Sequence, residues 1–415
     1  MRTFCRIAVL FAVCLSQACS TQGASFESFA NGSTNTPFVQ QPQGGGPWIT
    51  FSTSQRAKTI TSGRDGNVWY CEGTFIGRIT MVGTTTDFQV PSPNSCLSMT
   101  PNPDGNVYFG EGGGGGDGIG RITPQGTITL FTGPEAGAQV QSIESGSDGN
   151  IWAVVAGHIW RLTPQGTFTD FPDAQIGGGT GFNQLVRGSD KNLWTYGLNG
   201  IGWAVWRIAM DGSATSYAFS KKIWGIASGS DGGIWISQGS HMVRLDPNSG
   251  QTVSYKLSRV VDGHDLTEGP HHVLYFIDER TSPFTLGRFD IVKLKLKSSE
   301  SLANAAFGEL TFGPDSNAWI TDTASDQLHV FVVDAMSTNP TSISVAVGST
   351  ASLTATEKGY KQPLSASSSD VNVATVSSNG TDSFTITGVA VGSCTVTVFD
   401  SKGNSIDVPV TVTSG

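Results

Sequence analysis

The sequence predicts an all-β protein, a seven-bladed β-propeller followed by a small C-terminal β-sandwich. A short motif recurs seven times at a mean step of about 42 residues, which suits a four-stranded propeller blade. Glycine is abundant, with 53 of 415 residues, and only 14% of residues are charged, as expected for a chain dense in turns. Beyond Ser337 the composition shifts to Ser, Thr, Val and Ala without Trp, which indicates a second domain.

The repeated motif has the form Asp-Gly-Asn-x-Trp. Its Asp-Gly pair suits a tight hairpin, because Gly tolerates positive φ and the Asp carboxylate accepts bonds from the following amides. Its aromatic residue is expected to pack between neighbouring sheets, since one blade cannot bury its own faces. The seven copies, of which the sixth is degenerate, are Asp65–Trp69, Asp104–Tyr108, Asp148–Trp152, Asp190–Trp194, Asp231–Trp235, His271–Tyr275 and Asp315–Trp319.

The ends of the repeat array predict how the ring closes. The last unit has three recognisable strands, the third near Leu328 to Val333, and no fourth before the composition changes. Upstream of the first complete unit, Trp48–Phe51 resembles the fourth strands of other units, such as Thr127–Phe131. Pairing this segment with the last blade would join the two ends of the array and remove exposed sheet edges.

The N-terminal residues predict export. Arg2 and Arg6 precede an apolar run from Ile7 to Leu15, which indicates a signal peptide over residues 1–18 that is too short to span a membrane permanently. Cleavage would expose Cys19 after a sequence resembling a lipobox with its Leu one place too far upstream. Lipid attachment and free secretion both stay open, and either gives an extracytoplasmic protein. A flexible tether (19–46), the propeller (47–336) and the sandwich (338–415) complete the predicted order.

The cysteines that would remain after export give one candidate disulfide. Cys71 ends the second strand of the first full blade and Cys96 opens the first strand of the next, so both are expected near one edge of the ring. An oxidising compartment permits their pairing, although spacing along the chain does not establish their distance. Cys394 stands alone in the last domain and is expected to be buried. No Cys-x-x-Cys or His-x-x-x-His pattern suggests zinc.

The C-terminal segment reads as short strands with period-two alternation. Its stretches Val373–Ser377 and Ile386–Val398 resemble the bacterial Ig-like group 2 domain. The resemblance covers the whole tail and implies an Ig-like β-sandwich that acts as a surface spacer or adhesive unit, without catalytic residues.

The propeller repeat resembles the virginiamycin B lyase family of streptogramin-inactivating propellers. The matching stretches include Asp65–Glu72, Ile119–Gly126 and Thr127–Phe131, and the resemblance extends from about Trp48 to Asp334. It implies elimination chemistry that opens a cyclic depsipeptide lactone at a magnesium-associated site. That site is built from two histidines in adjacent blades, a carboxylate two residues before one of them, and another fourteen residues after it.

The sixth blade alone pairs a histidine with a carboxylate at the blade ends. Asp262, His264 and Asp278 match the family's spacing, with Asp in place of its Glu. The resemblance implies that His264 removes the proton beside the ester carbonyl, while Asp262 or Asp278 orients the imidazole and holds magnesium. Trp224 stands where the second histidine is expected, which removes one metal ligand. The alternative is a pore histidine hydrogen-bonded to a neighbouring carboxylate.

Two functions from different classes follow. The first, which the sequence favours, is a binding or recognition scaffold that takes a small-molecule or cell-surface ligand at the channel mouth, and the second is an active carbon-oxygen lyase. We expect a monomer that contacts a membrane only if an N-terminal lipid is attached. A net charge of −9 without a basic stripe argues against nucleic acid. The residues predicted to contact substrate are Trp224, Gln238, Glu279 and Asp322.

Overall fold

The structure is a computed structural model of the 415-residue chain. It describes residues 39–40, 47–91, 95–112, 118–155, 157–172, 182–334, 336–357, 363–401 and 404–414. The predicted signal peptide, Cys19 and nearly all of the predicted tether lie outside the described residues. Within these ranges, none of the helices has the length and apolar character needed to cross a membrane.

Seven four-stranded antiparallel sheets, here called blades 1 to 7, are formed by the described residues between Trp48 and Phe331. In blades 1 to 6 the spatial order of the strands follows the order of the chain, because each strand is joined to the next by a short connection. The strands of blades 1 to 4 are Thr59–Ser62, Val68–Glu72, Phe75–Ile79 and Thr85–Gln89; Ser95–Pro101, Val107–Gly112, Gly118–Ile122 and Ile128–Thr132; Val140–Ser145, Ile151–Val155, His158–Leu162 and Phe168–Phe171; Val186–Arg187, Leu193–Leu198, Trp203–Ile208 and Ala214–Phe219.

Blade 7 combines strands from both ends of the array. The strands of blades 5 to 7 are Gly225–Ser228, Ile234–Ser237, His241–Leu245 and Thr252–Lys256; Gly263–Gly269, Val273–Asp278, Thr285–Asp290 and Lys295–Leu296; Phe307–Phe312, Ala318–Asp322, Gln327–Phe331 and Trp48–Ser52. Trp48 pairs with Phe331 and Ser52 with Gln327. The predicted closure by the upstream strand is therefore the one the structure has.

The first strands of the blades form the inner wall of a closed ring. Each lies beside the first strand of the next blade, and Phe307–Phe312 of blade 7 lies beside Thr59–Ser62 of blade 1. The motif aromatics fill the spaces between the sheets, as the repeat predicts. All seven are buried: Trp69, Tyr108, Trp152, Trp194, Trp235, Tyr275 and Trp319.

The repeated Asp is a turn residue. In blade 3, Asp148 accepts the Asn150 amide at 3.1 Å and the Trp152 indole N–H at 3.2 Å. Blades 1, 4, 5 and 7 have the same indole bond at 3.1 Å, and in blade 2 the Tyr108 hydroxyl replaces the indole at 2.8 Å. One carboxylate thus fixes both the hairpin and the buried aromatic of its blade.

A disulfide joins Cys71 of blade 1 to Cys96 of blade 2, with the two Cα atoms 5.8 Å apart. The bond links the end of one second strand to the start of the next first strand, as the sequence suggests. Cys394 is the free cysteine of the described residues and is half-buried.

The C-terminal domain is a sandwich of two sheets. Its core is formed by alternating apolar residues, including Leu353, Phe384 and Val398. The first strand, Met336–Asn339, pairs with Thr350–Glu357 and so begins two residues before the boundary expected from composition. The remaining strands are Ile343–Ala346, Ser365–Ser368, Ala374–Ser378, Ser383–Gly388, Gly392–Phe399 and Asn404–Thr413, with Val39–Gln40 pairing along the last of these.

Candidate functional site

The ring encloses a cavity of about 790 Å³ along its axis. First strands from several blades line it, including residues 264–268 of blade 6 and Glu309 of blade 7. The end of the ring at which the first strands begin is here called the channel mouth. His264 lies at the start of its strand and lines the cavity, so it stands where the channel opens.

The imidazole of His264 is held between a carboxylate and an indole. Its Nε2 lies 3.6 Å from Oε2 of Glu279. Its ring meets the Trp224 ring edge to face, with centroids 5.2 Å apart. The structure thus brings together three of the predicted site residues, from blade 6 and the segment that enters blade 5.

Asp278 binds the backbone amides and the arginine around it. Its buried carboxylate forms an ion pair with Arg259 and accepts the amide N–H groups of Asp262 at 3.0 Å and Arg280 at 3.3 Å. In the strand register Asp278 stands opposite Gly263, whereas His264 stands opposite Ile277. Successive residues of a strand point to opposite faces, so the Asp278 side chain lies on the other face from His264.

Asp262 is not the carboxylate that contacts His264 either. Its Oδ1 lies 3.6 Å from Nη1 of Arg280, a half-exposed pair at the rim. Asp262 therefore contacts Asp278 through its amide N–H and Arg280 through its carboxylate. Glu279 takes the position beside His264 that the spacing assigned to Asp262 or Asp278.

The other predicted contact residues hold the loops that enter the first strands. Gln238 donates its amide N–H to the Lys221 carbonyl at 3.0 Å. Asp322 accepts the Ala306 amide at 3.2 Å and its Oδ2 lies 3.1 Å from Nε2 of His329. Both are buried, and both connect the end of a second strand to the segment before the first strand of the same blade.

Glu72 occupies the same place in blade 1. Its Oε2 accepts the Gln55 amide at 3.0 Å. Burial raises the pKa of Glu72 to about 7 although this bond opposes the shift. Glu72, Gln238, Asp278 and Asp322 are thus buried blade-end side chains that bond to the main chain of the segment before the first strand of their own blade.

Trp224 is fixed by its main chain and carries a cation on its ring. Its carbonyl accepts the Tyr196 hydroxyl at 2.9 Å and its amide donates to the Ser237 carbonyl at 2.9 Å. The ammonium of Lys222 lies 3.3 Å from the indole centroid. The mouth therefore presents an oriented indole in place of a second imidazole.

The residues present do not fit the magnesium site of the resemblance. The Arg259 guanidinium already neutralises Asp278, and Trp224 offers no lone pair to a hard cation. Across the described ranges, no group of three or more His, Cys, Asp and Glu side chains is placed to hold a metal ion.

Four carboxylates that line the channel were not predicted from the sequence, Glu144, Asp265, Glu268 and Glu309, and three of them have raised pKa values. Burial raises the pKa of Glu144 to about 7, although the Ser145 amide and Arg187 oppose the shift. Burial also raises the pKa of Asp265, and the charge of Glu279 adds to it. The pKa of Glu309 is raised by burial and then by the charge of Asp265. The sequence offered one signal for these acids, because Asp265 directly follows the predicted site residue His264.

These features define a closed seven-bladed propeller with an imidazole, a carboxylate and an indole at its channel mouth, joined to a β-sandwich. The chain belongs to the virginiamycin B lyase family, whose model matches residues 48–288. The bacterial Ig-like domain (group 2) matches residues 332–412. No curated protein matches the chain.

Solved structures share the fold. A streptogramin B lyase structure is 22% identical with a TM-score of 0.60, over 68% of this chain and 96% of that one. A catalytically inactive virginiamycin B lyase from Staphylococcus aureus with quinupristin is 22% identical with a TM-score of 0.59, over 68% and 98%. The extracellular domain of a hybrid two component system from B. thetaiotaomicron is 12% identical with a TM-score of 0.57, over 86% and 57%.

Proposed function

We propose that this member of the virginiamycin B lyase family is an extracytoplasmic ligand-binding propeller rather than a lyase. It is exported through its N-terminal segment and either released or anchored by a lipid on Cys19. The Ig-like domain serves as a spacer, and the ligand enters at the channel mouth. The Ig-like domain and the extracellular domains among the structural neighbours support this location.

One observation carries the proposal. The carboxylate that matches the lyase spacing after His264 is used for structure, because Asp278 is buried between Arg259 and two backbone amides, and Trp224 occupies the position of the second histidine. A general base needs an orienting partner and a stabiliser for the developing enolate. In the described part of the chain, the mouth lacks a set of side chains that could bind the metal, and Trp224, His264 and Glu279 form an aromatic and polar surface there that can bind a ligand.

The lyase remains the second candidate because of one contact. His264 Nε2 has no hydrogen-bond partner among the described residues and lies 3.6 Å from Glu279. In an active enzyme, Glu279 would orient the imidazole, and His264 would take the proton from the carbon next to the one that bears the ester oxygen. The electron pair left on that carbon would then form a carbon-carbon double bond as the bond between carbon and ester oxygen breaks and the oxygen leaves as part of a carboxylate.

The two functions are separated by incubating the purified protein with quinupristin, with and without Mg²⁺. Elimination leaves the mass unchanged, so the cyclic and linear forms are distinguished by chromatography and tandem mass spectrometry. We expect quinupristin to stay cyclic, while a virginiamycin B lyase assayed alongside opens it. Ring opening that is lost in both His264→Ala and Glu279→Gln would establish the lyase and overturn the proposal.

A further inference from the structure

A set of polar side chains, here called the belt, lines the channel near the start of the first strands: Ser98, Ser142, Gln184, Asp265 and Glu309. In most blades the belt side chain accepts a main-chain N–H from the next blade, which ties the inner strands together. The bonds are Ser98 Oγ with the Ile143 amide at 3.2 Å, Ser142 Oγ with the Leu185 amide at 2.9 Å, and Gln184 Oε1 with the Ile226 amide at 3.4 Å.

Glu309 belongs to the belt in the same way. It is bonded to the Ile60 amide and the Thr59 hydroxyl of blade 1. The strand register shifts between Phe307 and Leu310, so a bulge sets the direction of the Glu309 side chain into the cavity.

Asp265 is the exception. It stands in a corresponding bulge of blade 6, between His264 and Thr267, and lines the cavity. Its side chain is half-buried and faces the cavity. Among the described residues, no hydrogen bond or ion pair holds its carboxylate, and the charges that act on it come from Glu279 and Glu309. A half-buried carboxylate that lacks a partner and is repelled by two other carboxylates is stabilised when a ligand supplies the opposite charge.

The remaining channel groups do not supply that charge. Glu144 is bonded to the Ser145 amide at 2.9 Å and lies near Arg187, and Glu268 is bonded to the Ser230 hydroxyl at 2.6 Å. Arg187 is the one Lys or Arg among the described residues that line the cavity. The titratable and charged groups that face Asp265 and Glu309 or share the cavity with them are Glu144, Arg187, Tyr196, His264, Glu268 and Glu279.

The mouth shows how a cation could enter. The Lys222 ammonium lies 3.3 Å from the Trp224 ring centroid, so this indole face already accepts an alkylammonium group. Trp224 contacts His264, the residue before Asp265. An aromatic cation site at the opening is therefore followed by two carboxylates inside.

We propose that the channel binds a small organic polyamine, with one ammonium group paired with Asp265 and Glu309 and another reaching Trp224 at the mouth. The cavity of about 790 Å³ has room for a linear chain with several charges. The inference rests on the proposed binding function, because it names the ligand class of the same channel.

Spermidine is the probe, measured by titration calorimetry with the full chain at low salt and about pH 8.5, where its amines are still largely charged. We expect Asp265→Asn and Glu309→Gln each to weaken binding by at least about tenfold. Glu135→Gln, which removes an exposed acid away from the channel, is the matched control and should leave the affinity unchanged.

The pH dependence gives an independent readout. The raised pKa values of Asp265 and Glu309 mean that their carboxylates ionise through neutral pH, so spermidine binding should strengthen between about pH 6 and about pH 8.5. In the Asp265→Asn, Glu309→Gln double variant this increase should vanish. Binding to ordinary surface acids would keep its strength over this range, because those acids are already ionised.

Three results would overturn the inference: no spermidine binding by a folded protein, equal binding by the double variant, or Ca²⁺ or Mg²⁺ binding at Asp265 in place of the amine. The quinupristin assay tests the proposed function independently. Ring opening would disprove the binding-only function, but it would not change the result of the spermidine titration. Circular dichroism of each variant confirms folding before binding is interpreted.

Discussion

At the scale of single residues, the strand register decides which side chains meet at the channel mouth. Glu279 and His264 lie on the same face, whereas Asp278 stands opposite Gly263 on the other. The spacing of Asp262, His264 and Asp278 along the sequence predicted that a histidine and two acids lie at one end of blade 6. It did not show which carboxylate touches the imidazole, because spacing counts residues but not the hydrogen bonds that occupy Asp278.

The raised pKa values of the channel acids predict an effect on stability. Because the folded pKa of Asp265 lies above its unfolded value, its favourable contribution is complete at low pH and is lost as pH rises through the folded pKa. Asp265→Asn removes that loss and relieves the repulsion of Glu309. We expect its melting temperature to exceed that of the parent protein at about pH 9 and to match it at about pH 4.

Glu135→Gln serves as the control for that comparison, since it removes an exposed charge. Thermal unfolding followed by circular dichroism measures both variants. If Asp265→Asn lowered the melting temperature at about pH 9, the carboxylate would have to be stabilised in its charged form.

At the scale of the elements, the blade turn is the part that the sequence predicts most fully. An Asp four residues before the aromatic specifies the hairpin and the burial of that aromatic at once, as Asp190 does for Trp194 at 3.1 Å. The bulges at Asp265 and Glu309 could not be predicted, because an extra residue in one strand leaves the pattern of apolar residues almost unchanged. These bulges set the direction of the Asp265 and Glu309 side chains. The sequence therefore predicted the blades but not the acidic site inside the channel.

Asp190→Ala should show how much one turn contributes. It removes the bonds to the Trp194 indole and the Asn192 amide, and the 2.7 Å ion pair with Arg207. We expect the free energy of unfolding in urea to fall by about 2 kcal/mol. Asp211→Ala, in an exposed turn of the same blade, should lower it less, because the Asp211 carboxylate accepts bonds from the exposed Ser213 amide and hydroxyl and from no buried aromatic. Equal losses would contradict the role assigned to the indole bond.

At the scale of the whole molecule, the ring is closed by residues from both ends of the repeat array and tied by one covalent bond. Trp48 contacts both Phe307 and Phe331, with centroids 5.1 and 5.2 Å apart, so the upstream strand completes an aromatic core in blade 7. The repeat count and the missing last strand made this closure predictable from the sequence alone.

The bond between Cys71 and Cys96 spans 25 residues of sequence. For a loop of that size, chain entropy alone predicts that the crosslink stabilises the folded state by about 3.5 kcal/mol. We expect reduction to lower the free energy of unfolding by an amount of this order. Alkylation before reduction, followed by intact mass, provides the check, and modification of either thiol at that stage would show that the bond is absent.

The acids with raised pKa values predict the pH dependence of the whole protein. The pKa values of Glu72 and Glu144 are raised to about 7, and those of Asp265 and Glu309 are also raised. The folded state therefore favours the protonated form of all four carboxyl groups. Stability should therefore decrease from about pH 5 to about pH 8. Melting temperatures measured across this range test the sign, and a steady increase would contradict it.

Asp278, which matches the lyase spacing, holds the backbone at the end of blade 6. The free energy of unfolding of Asp278→Ala measures this role, with Glu279→Ala as the exposed neighbouring control. Loss of the Arg259 ion pair and of two amide bonds predicts a decrease of about 3 kcal/mol, against a change within about 0.5 kcal/mol for the control. Unchanged or increased stability of Asp278→Ala would mean that this carboxylate is free for function, and would contradict the account.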